Sequence, residues 1–289
     1  MGKRKIQIIL LLSLSCLLCA ARPAGAVNRY GGPSPGCDRP APDVPPSAVT
    51  VAGRTREMIV AVPDGYEAKR LHTLVIAFHG RTNSNAQVRG YFDLERNARE
   101  PTIFVYPAGL RDKSGRYSWS DPADRPDALR DVALFDAVVK TIAENYCLDM
   151  RRIFLVGHSL GAWFANSLAC LRGDQVRGVA SVGGGITRPE TCPAPVAAML
   201  LHNPRDRQVS IGQALRARDA MLDQNHLPPG SEATEPHRFN CRRYGPEGAG
   251  YPVLWCPHSE DVTGRGRFYP HQWPAGTGAV FMEFFAGLH

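Results

Sequence analysis

Apolar residues fall along this chain in two alternating kinds of run. Short, nearly unbroken runs occur at 71–78 (with Leu74-Val75-Ile76-Ala77-Phe78 at its heart), 102–106, 152–156, 176–182, 196–201 and 251–255. Runs of this length bounded by turn residues predict strands buried on both faces. Between them, apolar positions recur at helical spacing. Val132, Leu134, Phe135, Val138, Val139 and Ile142 mark a helix within 129–146, and further helices are predicted over 160–171, 211–224 and 279–288, with 83–99 helical in part. Residues 54–62 alternate and stop at Pro63-Asp64-Gly65, a strand and its turn. Residues 111–126 read as a polar loop carrying Trp119. Buried strands alternating with helices predict an α/β fold: a mostly parallel central sheet with helices on both faces, in a single domain.

The N-terminus changes how the charge is read. Lys3-Arg4-Lys5, an apolar stretch over 6–21 and Ala24-Gly25-Ala26 have the form of a secretory signal peptide, 1–26, cleaved before Val27. A Pro- and Gly-rich arm, 27–50, follows, and the catalytic domain is expected over 51–289. The formal charge of +7 falls once 1–26 is removed, because Lys3, Arg4, Lys5 and Arg22 go with it; 30 basic and 27 acidic residues remain. No basic stripe interleaved with aromatics stands out, so no nucleic-acid partner is expected. The apolar core of 6–21 is short for a span, and no stable membrane insertion is expected after cleavage. Six cysteines remain: Cys37, Cys147, Cys170, Cys192, Cys241 and Cys256. An even number in an exported chain predicts disulfides, with 15 possible pairings. Cys241 with Cys256 is the one pairing expected, since two adjacent extended segments would bring them together. The spacings contain no C-x-x-C, which argues against a zinc site, and no metal is expected.

The chemistry is concentrated at Gly157-His158-Ser159-Leu160-Gly161, between a predicted strand and a predicted helix. G-x-S-x-G in that context predicts a strained turn that lifts the Ser159 hydroxyl clear of a sheet. The Leu160 amide, at the helix N-terminus, could donate to a developing oxyanion. A serine hydroxyl needs a base, and the base needs an orienting group. Asp206 follows the strand ending near Leu201, and His271 precedes the last helix, in the chain order serine, acid, histidine. Asp219, Asp223 and Asp261 compete for the acid, and His202, His226 and His258 for the base. His79, Ser159, Asp206 and the segment before His271 all follow strand ends, the edge at which parallel sheets bind ligands.

Several stretches together resemble the secreted feruloyl esterases and poly(3-hydroxybutyrate) depolymerases. They are Gly36-Cys37, Val75-Ile76-Ala77-Phe78-His79-Gly80, Phe104 to Leu110, Tyr146-Cys147-Leu148-Asp149, Leu168-Ala169-Cys170, Tyr251 to Cys256 and His271-Gln272-Trp273-Pro274. The resemblance covers about residues 36–288. It implies an α/β-hydrolase fold, no cofactor, and a triad of Ser159, Asp206 and His271. It also implies an oxyanion hole made by the amides of Leu160 and Arg81. The chain departs from the family's pattern at 202–210, where the acid loop reads His202-Asn203-Pro204-Arg205-Asp206, at Pro270 before the histidine, and at Arg81.

The function expected is hydrolysis of a carboxylic ester through an acyl-enzyme. Its partner would be an ester substrate, either a plant cell-wall polysaccharide ester or a polyester, and the protein would act as a monomer. His79, Trp119 and Trp273 are candidate substrate contacts, whereas Trp163 and Trp255 are expected in the core. An acetylxylan esterase, another acyl hydrolase or peptidase on the same fold, and a secreted binding module with a relic triad are the alternatives.

Overall fold

The computed structural model describes residues 31–121, 128–187, 189, 192–233 and 238–288. The expected signal peptide lies outside the described residues. The elements in chain order are β1 (Ala48–Val51), β2 (Arg54–Ala61), β3 (His72–Phe78), α1 (Asn85–Phe92), β4 (Thr102–Pro107), β5 (Leu110–Arg111), β6 (Tyr117–Ser118), α2 (Arg130–Asn145), β7 (Leu148–His158), α3 (Leu160–Leu171), β8 (Gly178–Val182), β9 (Ala197–His202), α4 (Ile211–Gln224), β10 (Ser231–Ala233), β11 (Arg242–Tyr244), β12 (Val253–Pro257) and α5 (Thr277–Ala286).

Ten strands form one sheet in the order β1-β2-β4-β3-β7-β8-β9-β12-β11-β10. The six from β4 to β12 are parallel, and the two at each edge join the sheet through antiparallel pairings. Side chains of a strand alternate between the faces of its sheet, and this divides the core in two. Leu74, Ile76, Phe78, Ile103, Val105, Ile153 and Leu155 pack on the face covered by α2, α3 and α4. Val75, Ala77, Phe104, Tyr106, Phe154 and Val156 pack on the other, with Val88 and Phe92 of α1 and Phe281 and Phe285 of α5. All seven residues of β3 and all six of β4 are buried, as the continuous apolar runs require.

Three short strand pairings lie beyond the periodic signal. β1 straddles the expected boundary at 50/51 and hydrogen-bonds to β2. A two-residue hairpin, β5–β6, sits inside the expected polar loop. β10 and β11 extend the far edge. Strands of two to four residues carry too few alternations to stand out from loop sequence.

Three disulfides pin the periphery: Cys37–Cys147, Cys170–Cys192 and Cys241–Cys256. The expected Cys241–Cys256 pair follows from register. Arg242 of β11 faces Trp255 of β12, so the next pair outward is Cys241 and Cys256. Cys37 holds the segment before β1 against the start of β7, where Ser34 Oγ accepts from the Leu148 amide at 2.8 Å. The cross-links close 110 and 15 residues in the first and third cases. Loop entropy then makes the first worth about 4.7 kcal/mol and the third about 3 kcal/mol. The double variant Cys37→Ser/Cys147→Ser should therefore unfold at lower denaturant than Cys241→Ser/Cys256→Ser, a ranking that equilibrium urea melts would check.

Candidate active site

β7 ends at His158, and α3 starts at Leu160, so Ser159 alone makes the turn. Its φ is 57° and its ψ −123°. A non-glycine residue there is strained, and such strain persists only where the surroundings over-determine it. The two motif glycines supply that constraint. A Cβ on Gly161 would collide with the carbonyls of Phe78 and His79, and one on Gly157 would collide with the Gly161 backbone. Without side chains, α3 can lie against the end of β3 directly beneath the serine. The Ser159 amide is fastened to the Val182 carbonyl of β8 at 2.9 Å.

The loops after β9 and before α5 bring two groups to this turn. Nε2 of His271 lies 2.7 Å from Ser159 Oγ, and Nδ1 of His271 lies 2.5 Å from Oδ2 of Asp206. A carboxylate only accepts, so Nδ1 carries the proton and Nε2 is left to accept from the serine hydroxyl. The other carboxylate oxygen, Oδ1, accepts from the amides of Gln208 at 2.8 Å and Val209 at 3.1 Å. Burial pushes the Asp206 carboxyl up, but the hydrogen bond from His271 and these amides outweigh it and hold the group below the usual carboxylate range. Gly183, at φ +62°, leaves room for the imidazole: a Cβ there would stand 3.2 Å from the ring.

None of the competing residues reaches the serine. Asp219 pairs with Arg218 on α4, and Asp223 lies in the last turn of that helix. Asp261 pairs with Arg205. His226 is exposed. His202 Nε2 donates to the Val209 carbonyl at 2.9 Å, and burial lowers its pKa, so its 3.9 Å approach to Asp206 joins a neutral ring to a carboxylate and is no ion pair. His258 is buried at the end of β12 near Phe239, with its pKa pushed down to about 4 by burial.

The segment His79-Gly80-Arg81 runs over the turn. A Cβ on Gly80 would stand 3.3 Å from the Ser159 Cβ. The Arg81 side chain is exposed, while its carbonyl accepts from the Tyr117 amide of β6 at 3.0 Å. Neither the Arg81 amide nor the Leu160 amide donates to another group among the described residues. Leu160 is the first residue of α3, where amides lack intrahelical acceptors.

No family model matches the chain. Among curated proteins it is similar to feruloyl esterase D of Neurospora crassa, with 26% identity over 265 residues that cover 85% of this chain and 86% of that one. It is similar to feruloyl esterase C of Emericella nidulans, with 26% identity over 207 residues, 69% of this chain and 72% of that one. A probable feruloyl esterase C of Aspergillus flavus is 32% identical over 158 residues, 52% of this chain and 55% of that one. The chain thus resembles feruloyl esterases in sequence, and its fold is that of the α/β-hydrolases. By class it is a carboxylic ester hydrolase. The fold is also that of a Bacillus cereus carboxylesterase, with TM-score 0.58 and 12% identity over 81% of this chain and 95% of that one. The acetyl xylan esterase of Aspergillus awamori likewise matches, with TM-score 0.56 and 15% identity over 80% of this chain and 94% of that one.

Two of the three candidate substrate contacts belong to the scaffold. His79 is fully buried. Its Nε2 accepts from the Gly109 amide at 2.9 Å, so its proton is on Nδ1, which donates to the Gly80 carbonyl at 2.8 Å. Trp119 is 6% exposed; its indole N–H donates to the His79 carbonyl at 2.8 Å, and its ring stacks on Phe164 at 5.3 Å. Both therefore brace the loop over Ser159 from below, because the hairpin β5–β6 folds the expected polar loop back onto the core. Beneath them lies a buried ion pair. Arg56 donates to Asp131 Oδ1 at 2.6 Å and to the Ala108 carbonyl at 3.1 Å, while Asp131 Oδ2 accepts from the Ser120 amide at 2.6 Å.

Trp273 is half-buried, stacked on Phe92 at 3.9 Å, and lines a cleft of about 460 Å³ with Tyr91, Glu260 and Val262. Trp255 is core, as expected. Trp163 is half-buried, with its N–H donating to Thr187 at 2.8 Å. The residue that motif reading passes over is His158. It fills a variable position of G-x-S-x-G, yet it is buried, and both ring nitrogens are engaged, with the His271 carbonyl and the Tyr91 hydroxyl.

Burial holds three imidazoles neutral: His158 at about 3, and His79 and His258 at about 4, against an ordinary 6.5. Each takes up a proton in the unfolded chain well before it can do so in the fold, so unfolding binds protons below pH 6.5 and stability falls with pH. The thermal midpoint should decline from about pH 6.5 downward. A second loss should join it as pH falls through 3.8, where Asp206 is half-protonated in the unfolded chain but still ionised in the fold. Melts from pH 8 to 3 would check this, and a midpoint flat between pH 7 and 4.5 would contradict it.

Proposed function

We propose that the chain hydrolyses carboxylic esters of the feruloyl type by a two-step serine mechanism. The observation that carries the reading is the single imidazole of His271, within hydrogen-bond distance of both Ser159 Oγ and Asp206. Ser159 attacks the ester carbonyl as its proton passes to His271 Nε2. Asp206 keeps the ring in the Nδ1–H tautomer and stabilises the imidazolium that forms. The amides of Leu160 and Arg81 receive the oxyanion. His271 then protonates the departing alkoxide, and the alcohol leaves. Water, deprotonated by the same nitrogen, attacks the acyl-enzyme, releases the carboxylic acid and restores Ser159. All three side chains come from one chain, so the reaction needs no second copy.

The substrate class is supported by the relatives' names, feruloyl esterases C and D. The ester is accordingly that of a hydroxycinnamic acid with an alcohol such as a cell-wall sugar. The chain is read as exported: residues 1–26 have the form of a cleaved signal, and three disulfides suit an oxidising compartment. Cleavage would leave the arm 27–50 and the catalytic domain 51–289.

Protein beginning at Val27 should turn over methyl ferulate faster than p-nitrophenyl acetate and leave poly(3-hydroxybutyrate) granules intact. Ser159→Ala should lower kcat by roughly 10⁴-fold or more with an unchanged melting temperature. Activity retained by Ser159→Ala would remove the serine mechanism. Release of hydroxybutyrate in preference to ferulate would reassign the substrate.

A further inference from the structure

His158 lies between the nucleophile and the base in a way that neither role explains. It is the last residue of β7, so its backbone is continuous with that of Ser159. Its ring meets the main chain of the base: Nε2 is 3.0 Å from the carbonyl oxygen of His271. Nδ1 is 3.1 Å from the hydroxyl of Tyr91 on α1. A carbonyl only accepts, so Nε2 carries the proton. A neutral imidazole has only one, so Nδ1 must accept, and the Tyr91 O–H must donate. The order of the relay is thereby fixed: Tyr91 O–H to His158 Nδ1, then His158 Nε2–H to His271 C=O.

We propose that His158, oriented by Tyr91, is a positioning residue that holds the main chain of the catalytic base in register with the nucleophile. The proposal rests on the reading of Ser159 and His271 as nucleophile and base. His271 is carried by a loop, whereas Ser159 is locked between β7 and α3. Trp273 packs this loop against Phe92, but its other hydrogen bonds, Gln272 to the Glu260 and Val262 carbonyls and Tyr269 to the Asp261 carbonyl, lead to neighbouring loop residues. The Asp206 contact fixes the ring of His271 but leaves its backbone free. The His158 bond joins that backbone directly to the end of the nucleophile strand. It thus sets the 2.7 Å between His271 Nε2 and Ser159 Oγ from inside a single rigid unit.

The surroundings suit a permanently neutral donor. His158 is buried, and its ring centroid is 5.4 Å from that of His271. A second positive charge there would oppose the imidazolium that forms on His271 in each step. Desolvation, and the nearness of His271, push His158 down to about 3, while the Asp206 carboxylate pulls the other way without prevailing. Tyr91 is held by aromatic edges, against Phe92 at 5.0 Å and Trp273 at 6.2 Å, so its hydroxyl has a fixed direction.

The test is a comparison of His158→Leu with His158→Gln, in which only the glutamine amide can still donate to the His271 carbonyl. His158→Leu should lower kcat on p-nitrophenyl acetate roughly 100-fold, the cost of misplacing reacting groups by about an ångström. KM should stay within about twofold, and fluorophosphonate labelling of Ser159 should slow in step. His158→Gln should recover most of the loss. Equal turnover in the two variants, or a loss confined to KM, would overturn the proposal. Should His158→Leu fail to fold, Tyr91→Phe removes only the orienting hydroxyl and should cost kcat roughly fivefold to tenfold; no change in kcat would count against the relay. Nitrogen-15 spectra of histidine-labelled Ser159→Ala protein read the relay without turnover. His158 should be the Nε2–H tautomer and should not titrate between pH 5 and 8, and an Nδ1–H tautomer would overturn the proposal whatever the ester chemistry. Wild-type protein left unlabelled by fluorophosphonate would instead fail the serine mechanism itself.

Discussion

Ser159 holds a positive φ because the backbone on either side of it has no other room. Gly161 presses on the end of β3, Gly157 presses on Gly161, and the Ser159 amide is tied across to β8. Three neighbouring strands therefore fix one peptide, and the rest of the site is arranged with respect to it. Gly80 passes over the serine because β3 ends beside β7. Asp206 lies within reach because β9 is only two strands from β7, with β8 between them. The strain of a left-handed serine costs on the order of 1–3 kcal/mol, and the packing of three buried strands is more than able to impose it.

Polar groups beneath the site form layers rather than isolated contacts. Arg56 and Asp131 hold the start of α2 and the turn after β4; that turn supplies the Gly109 amide to His79; and His79 in turn holds Gly80. Each member hydrogen-bonds to the next, which is what makes burial of an ion pair and a neutral histidine tolerable. The outcome is a loop whose amides are placed by groups buried beneath it. This explains why His79 and Trp119, read from sequence as contacts, turn out to be supports.

Continuous apolar runs made the parallel core legible, because strands buried on both faces leave an unbroken signature. Ile211–Gln224 emerged from its periodicity with the boundaries found in the structure. The turn at Ser159 was legible from its motif between strand and helix, whereas Asp206 and His271 stood out from competitors such as His258, which also follows a strand, through the resemblance to feruloyl esterases. What stayed hidden depends on tertiary contact. β1, β5, β6, β10 and β11 are too short to carry a period. The burial of Trp119 depends on a hairpin invisible to patterning. His158 looked like filler within a motif because nothing local shows that its ring reaches a carbonyl 113 residues away. Gly183-Gly184-Gly185 follow the end of β8, and added Cβ atoms there would press on the His271 ring, Ala162 and the Trp163 ring in turn.

The disulfides join Cys37 to Cys147, Cys170 to Cys192 and Cys241 to Cys256, so each of the six cysteines beyond residue 26 bonds to its neighbour among those six along the chain. A polypeptide that emerges N-terminus first meets an oxidant in that same order. At each stage the one unpaired thiol available to a newly emerged cysteine is its native partner. For a chain exported in the way proposed above, this pairing is the one that vectorial emergence would deliver, with no wrong bond left for an isomerase to undo.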